Sequence, residues 1–405
     1  MSSEVAKPHS GGPIRAWRAT FAGLCAALVG LGLARFAYTP LIPAMIDAGW
    51  FTPSETIYLG AANLAGYLAG ALLAHRTTLR ASPAAMLRAM MMLAAATFFA
   101  GAYPLSFAWF FLWRFASGFA GGVLIVLGPN TALLNVPAAR RGLAGGVIFA
   151  GVGVGIAVSG TLVPLLMRLG LVETWFALGA LSLLLALVTW RIWPADVLRT
   201  PPGPTRSDRP RSPILTAFYV AYGLIAVALV PHMVFWVDFI ARGLDRGLDV
   251  GAGYWVLFGL GAALGPVLVG HVADRIGGTL ALRVSFVIVA ACVALPVLTD
   301  GDAALVVSSI VVGAFVPGVA GLAVSRVHAL ALADGTNPTA AWGVCTTSFA
   351  IGQAIAAYGF SFLFAHTGEY AMLFGLGASA LVLALAIDLI TAAVDRRRER
   401  VEART

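Results

Sequence analysis

Charge is what this sequence has least of. Only 11% of its 405 residues are charged against 60% hydrophobic, and the mean hydropathy is +0.90. A soluble domain carries about 25% charged residues, so most of this chain cannot present a water-facing surface. The net charge of +8 does not point to nucleic acid, because that needs a basic patch on a soluble surface and the arginines stand mostly in short segments between apolar runs. Cysteine is also scarce. Cys25, Cys292 and Cys345 each lie inside an apolar run without C-x-x-C or histidine spacing, which excludes a disulfide framework and a zinc site. There is no HExxH, no GxSxG and no cluster of histidine and aspartate within an apolar run. The chain therefore reads as no enzyme and as no holder of a metal or cofactor.

What is abundant is long apolar sequence. Runs of 18 or more apolar residues recur along the whole length, each enough for the roughly 20-residue helix that crosses about 30 Å of hydrocarbon. They predict helices at 17–43, 55–74, 83–103, 107–136, 142–167, 172–193, 214–240, 251–272, 280–299, 303–326, 339–365 and 370–393. The expected fold class is an all-α integral membrane protein with twelve transmembrane helices. The first run, Ala19 to Ile46, is much longer than a signal-peptide core and reads as a retained helix.

The basic residues orient these spans. Placing both termini in the cytoplasm puts 21 of the 26 Lys and Arg residues inside. Only Arg168, Arg242 and Arg246 then fall outside, and Arg35 and Arg114 fall within spans. So lopsided a split follows the positive-inside rule and predicts a multi-pass protein of the bacterial inner membrane, with the lipid bilayer as its partner.

The longest internal polar stretch, Pro194 to Pro213, is rich in Pro, Arg and Ser and falls between helices six and seven. It divides the chain into a cytoplasmic tail (1–15), a six-helix bundle (16–193), a cytoplasmic linker (194–213), a second six-helix bundle (214–394) and a basic tail (395–405). The two bundles are pseudo-symmetric: GLARFAYTP at Gly32–Pro40 and GLIAVALVP at Gly223–Pro231 share Gly, Leu, Ala and Pro at equal spacing. Two six-helix halves joined by a cytoplasmic loop are the plan of a monomeric transporter that rocks its halves about a midplane site.

Several motifs carry a family resemblance. GHVADRIGG, Gly270 to Gly278, sets an Asp-Arg pair at a helix end beside glycines that allow a tight turn. It resembles the G-x-x-x-D-R-x-G signature of the major facilitator superfamily. By that resemblance Gly270, Asp274, Arg275 and Gly277 belong to a cytoplasmic gate. The matching first-half loop, ALLAHRTTLR, has His75 where the aspartate would stand and keeps Arg76. RFASGFAGG at Arg114–Gly122 is similar to a second signature, with Ser117 in place of the usual Gln. GVGVGIAVSG at Gly151–Gly160 resembles the antiporter signature, with Ile156 for its Pro and Ser159 for a Gly. Gly118, Gly151, Gly155 and Gly160 are accordingly expected to serve close helix packing or a hinge. GLARFAYTPLIP, Gly32 to Pro43, resembles the first helix of the YbfB/YjiJ-like branch. The resemblance implies the superfamily fold and a transporter.

Arg35 and Arg114 are the unusual residues. Arg35 lies about 4 Å beyond the midpoint of its 28-residue segment, and Arg114 about 11 Å into helix four. A lipid-facing arginine near the centre costs at least about 2.5–3.5 kcal/mol. Three placements stand open: snorkelling if the helix breaks at Pro40 or Pro43, satisfaction by backbone carbonyls with Tyr38, Asn63 or Tyr67, or an aqueous cavity whose anionic substrate supplies the counter-charge. Neither arginine has an intramembrane carboxylate partner in its own half. The candidate substrate-binding set is Arg35, Tyr38, Asn63, Tyr67, Arg114 and His232. Asp238 and Asp388 read as interfacial rather than as proton relays. The expected function is secondary active transport of a small organic solute, an organic anion, coupled to a proton or counter-solute as symporter or antiporter. Two alternatives are an efflux pump for hydrophobic or cationic compounds and a transport-inactive membrane sensor or scaffold.

Overall fold

A computed structural model of the chain describes residues 13–77, 81–137, 140–193, 213–336 and 338–402. Nearly all of the 194–213 linker and most of the N-terminal tail lie outside the described residues, as do the side chains of His75, Arg76 and Asp274. Every described element is helical, and twelve helices are long and apolar enough to cross a membrane. They are α1 (Arg15–Asp47), α2 (Pro53–Ala74), α3 (Pro83–Gly101), α4 (Phe107–Leu133), α5 (Ala144–Met167), α6 (Leu171–Thr189), α7 (Pro213–Gly243), α8 (Leu248–Ala273), α9 (Gly278–Leu298), α10 (Asp302–Ala333), α11 (Ala341–Thr367) and α12 (Tyr370–Val394). All twelve match predicted spans. Local signals set several starts: Ser82 and Ser106 accept the backbone N–H of Ala85 and Trp109 in N-caps, and Pro83 opens its helix where no N–H is needed. Gly277, at φ +84°, ends the helix that carries the Asp-Arg pair, whereas Gly270 lies inside that helix.

The first helix of each half departs from α geometry. In α1 the α-helix Pro13–Ala27 opens into a wide π turn over Leu28–Leu33, passes through a turn at 34–37 and resumes as Tyr38–Asp47. Ala34 and Phe36 donate to the carbonyls five residues back, Val29 and Leu31. Pro40 has no N–H to return to Phe36, so a regular α-helix could not run through this point undisturbed. The span nevertheless continues through Pro40 and Pro43 to Asp47 instead of breaking there. In α7 the wide turns lie at Pro231–Phe235 and Phe239–Gly243. The repeated proline thus follows the wide turn in α1 and begins it in α7.

Small residues let the helices approach. A Cβ on Gly118 would lie 1.8 Å from the Asn63 carbonyl oxygen, and one on Gly151 would lie 2.4 Å from that of Leu24. Gly155 meets Gly32 of α1, while Gly160 packs against Ala252 and Val256 of α8 in the other half. These close contacts need no side chain and leave no room for one.

Contacts between α1–α6 and α7–α12 gather around mid-span and toward the end remote from the chain termini. There the Thr39 hydroxyl donates to the Met233 carbonyl (2.8 Å) and the Trp255 indole to the Ser159 hydroxyl (3.2 Å). Phe36 packs on Trp255 and Tyr58 on Tyr358. A Cβ would meet nothing within 4 Å on Gly145, Gly146, Gly270 or Gly343 at the end nearer the termini, nor on Gly253 or Gly375 toward the other end.

Candidate functional site

Both arginines are buried, 8% exposed at Arg35 and 5% at Arg114, so snorkelling to an interface is not how either is accommodated. Their surroundings are different.

Arg114 is held by a carbonyl that the wide turn of α1 makes available. Its Nη1 donates to Ala34 O (3.0 Å), and Ser117 Oγ, one turn further along α4, donates to the same oxygen (2.8 Å). The Arg114 guanidinium carbon sits 3.9 Å from the centroid of the Tyr38 ring. That ring is fixed in turn, since Tyr38 OH donates to the Thr56 carbonyl (2.7 Å). A desolvated cation on an aromatic face is worth about 2 kcal/mol. Asn63 completes the group by donating to Arg114 O (3.3 Å) and Ser117 Oγ (3.2 Å), and its own Oδ1 is without a partner among the described residues. Sequence reasoning named Tyr38, Asn63 and Arg114 but missed Ser117, which replaces a signature residue and is the second ligand of the freed carbonyl.

Arg35 has no oxygen acceptor among the described residues. Its Nη2 points to the thioether of Met233 (3.8 Å) in the other half, and its guanidinium lies 5.1 Å and 5.2 Å from the centroids of Phe36 and Tyr67. Sulfur is a weak acceptor and a guanidinium offers five donors. Met233 is shared: Gln353 Nε2 of α11 also donates to its sulfur (3.6 Å), while Gln353 Oε1 is buried without a partner. Arg35, Met233 and Gln353 therefore converge from α1, α7 and α11 at the boundary between the halves. Gln353 was not foreseen, because nothing in sequence pairs it with a residue on α1.

Acids lie elsewhere. Glu55 and Glu173 fall in first helical turns, where Glu55 accepts from the Thr52 backbone and hydroxyl. In the second half Asp388 takes Arg283 (2.5 Å) and, at 3.9 Å, Arg326. Asp238 is fully buried, bonded to Tyr370 OH and 3.7 Å from Arg242. Asp238 thus lies inside the second half, five residues before the end of α7 and covered by α12. His232 bonds Ser308 (2.8 Å) and stacks on Trp236, with Phe374 against its edge. The structure thus groups Arg114, Tyr38 and Asn63, sets Arg35 with Tyr67, and holds His232 within the second half beside Met233.

Twelve apolar spans with two arginines buried among the helices mark a polytopic membrane protein. A family model described as "Uncharacterised MFS-type transporter YbfB" matches residues 27–389, and no curated protein matches the chain. The chain belongs to this YbfB-like family of major facilitator transporters.

Proposed function

We propose that the protein is a secondary active transporter that moves a small organic anion across the bacterial inner membrane by alternating access, with a proton or counter-solute as coupling partner. The observation that carries this reading is Arg35. It is a buried permanent cation at the boundary of the two halves, paired with a thioether and two rings rather than with an oxygen. A carboxylate entering there gains charge-assisted hydrogen bonds that a sulfur cannot match. Tyr67 and Gln353 stand beside it as further contacts. Tyr38 of α1, Asn63 of α2 and Arg114 of α4 shape the adjoining wall, and His232 reaches the site through its neighbour Met233.

The moving units are residues 16–193 and 214–394, joined by the cytoplasmic linker 194–213 and flanked by the tails 1–15 and 395–405 in a monomer. With both termini cytoplasmic, the hydrogen bonds between the halves toward the far end, Thr39 on Met233 and Trp255 on Ser159, support an inward-facing arrangement. The gate that closes the cytoplasmic side in the outward-facing state comprises Gly270, Asp274, Arg275 and Gly277 with His75 and Arg76 opposite.

The experiment is uptake of a panel of radiolabelled small carboxylates into proteoliposomes. Accumulation of a carboxylate by the wild-type protein and its loss in Arg35→Glu is the expected result. Carboxylate transport that survives charge reversal overturns the anion assignment.

A further inference from the structure

We infer that the substrate is a 2-hydroxy acid, that Gln353 of α11 recognises the hydroxyl beside its carboxylate, and that the Met233 side chain withdraws to admit it. This deepens the anion reading of Arg35 and rests on it. One sulfur marks the place. Arg35 Nη2 of α1 donates to Met233 Sδ at 3.8 Å and Gln353 Nε2 donates to the same atom at 3.6 Å, so N–H groups from both halves converge on a single point. A thioether is a weak acceptor, whereas a carboxylate oxygen at that point accepts from both donors and brings the charge that Arg35 lacks. The main chain of Met233 is fixed, because its carbonyl accepts from Thr39 Oγ1 (2.8 Å). Its unbranched side chain turns about three bonds, so it can leave while the backbone stays.

Gln353 decides what stands beside the carboxylate. It is 1% exposed, and its Oε1 is buried without a hydrogen-bond donor among the described residues, a condition that native structures rarely leave unmatched. Amide bond lengths put Oε1 about 2.2 Å from Nε2. A ligand atom held by Nε2 therefore brings its own neighbour within reach of Oε1. In a 2-hydroxy acid the hydroxyl and the carboxylate sit on adjacent carbons, a spacing close to that of the amide nitrogen and oxygen, and the hydroxyl donates to Oε1. A plain carboxylate leaves Oε1 unmatched, and a 2-oxo acid sets a second acceptor against it. An ammonium also donates, but its charge needs a carboxylate. Asp238 is engaged by Tyr370 and Arg242, and Asp388 by Arg283 and Arg326, so neither is free to meet it. A neutral hydroxyl is the donor that this arrangement favours.

The test uses the purified full-length protein in detergent and pairs of acids that differ by the hydroxyl alone, lactate against propionate and malate against succinate, with apparent affinity taken from the rise in melting temperature. In at least one pair the wild type should bind the hydroxy acid at least about tenfold more tightly, because the plain acid leaves a buried acceptor unmatched. Gln353→Met keeps an unbranched side chain of similar length and should erase that preference while a carboxylate response remains. Equal affinities within both pairs in the wild type, with the response lost in Arg35→Gln, overturn the hydroxyl assignment and leave the anion reading standing. No response to any of the four acids in the wild type overturns both. A preference undiminished in Gln353→Met overturns the role of Gln353, and L-alanine or L-aspartate binding as tightly as lactate or malate overturns the choice of hydroxyl over ammonium. The wild-type comparison needs no variant to fold.

Discussion

Arg35 and Arg114 are permanent cations buried to nearly the same degree, yet one is built in and the other is left partly unengaged. Arg114 has a backbone oxygen, an aromatic face at 3.9 Å and a serine and an asparagine organised around it. Arg35 has a sulfur at 3.8 Å and rings at more than 5 Å. The first arrangement ties α4 to the widened turn of α1 within one half. The second places donors without strong acceptors where the halves meet, so it is the one able to answer to a ligand. Burial of charge alone does not mark a binding site; what the charge is already bonded to does.

Substitutions can break or sharpen that contrast. The largest effect is expected from Arg35→Glu, which should lower carboxylate transport by about 100-fold or more, as expected for loss of a buried charge pair. Arg114→Met should act on stability instead. It removes one of the two donors to Ala34 O and the cation over Tyr38, a loss on the order of 2–3 kcal/mol that an SDS unfolding titration in mixed micelles would register. If both variants lost the same function to the same degree with unchanged stability, the division of roles would be wrong. Ser117→Ala should cost about 1 kcal/mol, because Ala34 O keeps Arg114, and transport should persist. The smallest effect is expected from Met233→Leu. It keeps the volume, alters stability by less than about 1.5 kcal/mol and removes the acceptor that competes with an incoming anion, so carboxylate binding should tighten slightly in a direct titration.

The helices themselves were legible because each hydrocarbon-spanning stretch must be long and apolar, and a helix satisfies its backbone hydrogen bonds within that one stretch. Their ends were less so. The first span was expected to close near Pro43, but the wide turn upstream absorbs the prolines and the helix reaches Asp47. The two arginines were visible as charges in apolar sequence. Their difference was not, because it rests on a carbonyl freed by a local change of helix type and on Met233, 198 residues from Arg35 in sequence. The burial of Asp238 was hidden for the same reason, since its partner Tyr370 lies 132 residues further on.

The most direct measurement of the central claim is the thermal stability of the purified full-length protein across a panel of small carboxylates, compared between the wild type and Arg35→Gln. A ligand that binds the folded state raises the melting temperature with its concentration. The account predicts that at least one carboxylate stabilises the wild type in a saturable way and that Arg35→Gln, itself folded, loses the response. An equal carboxylate response in both proteins, or none in the wild type, would contradict it.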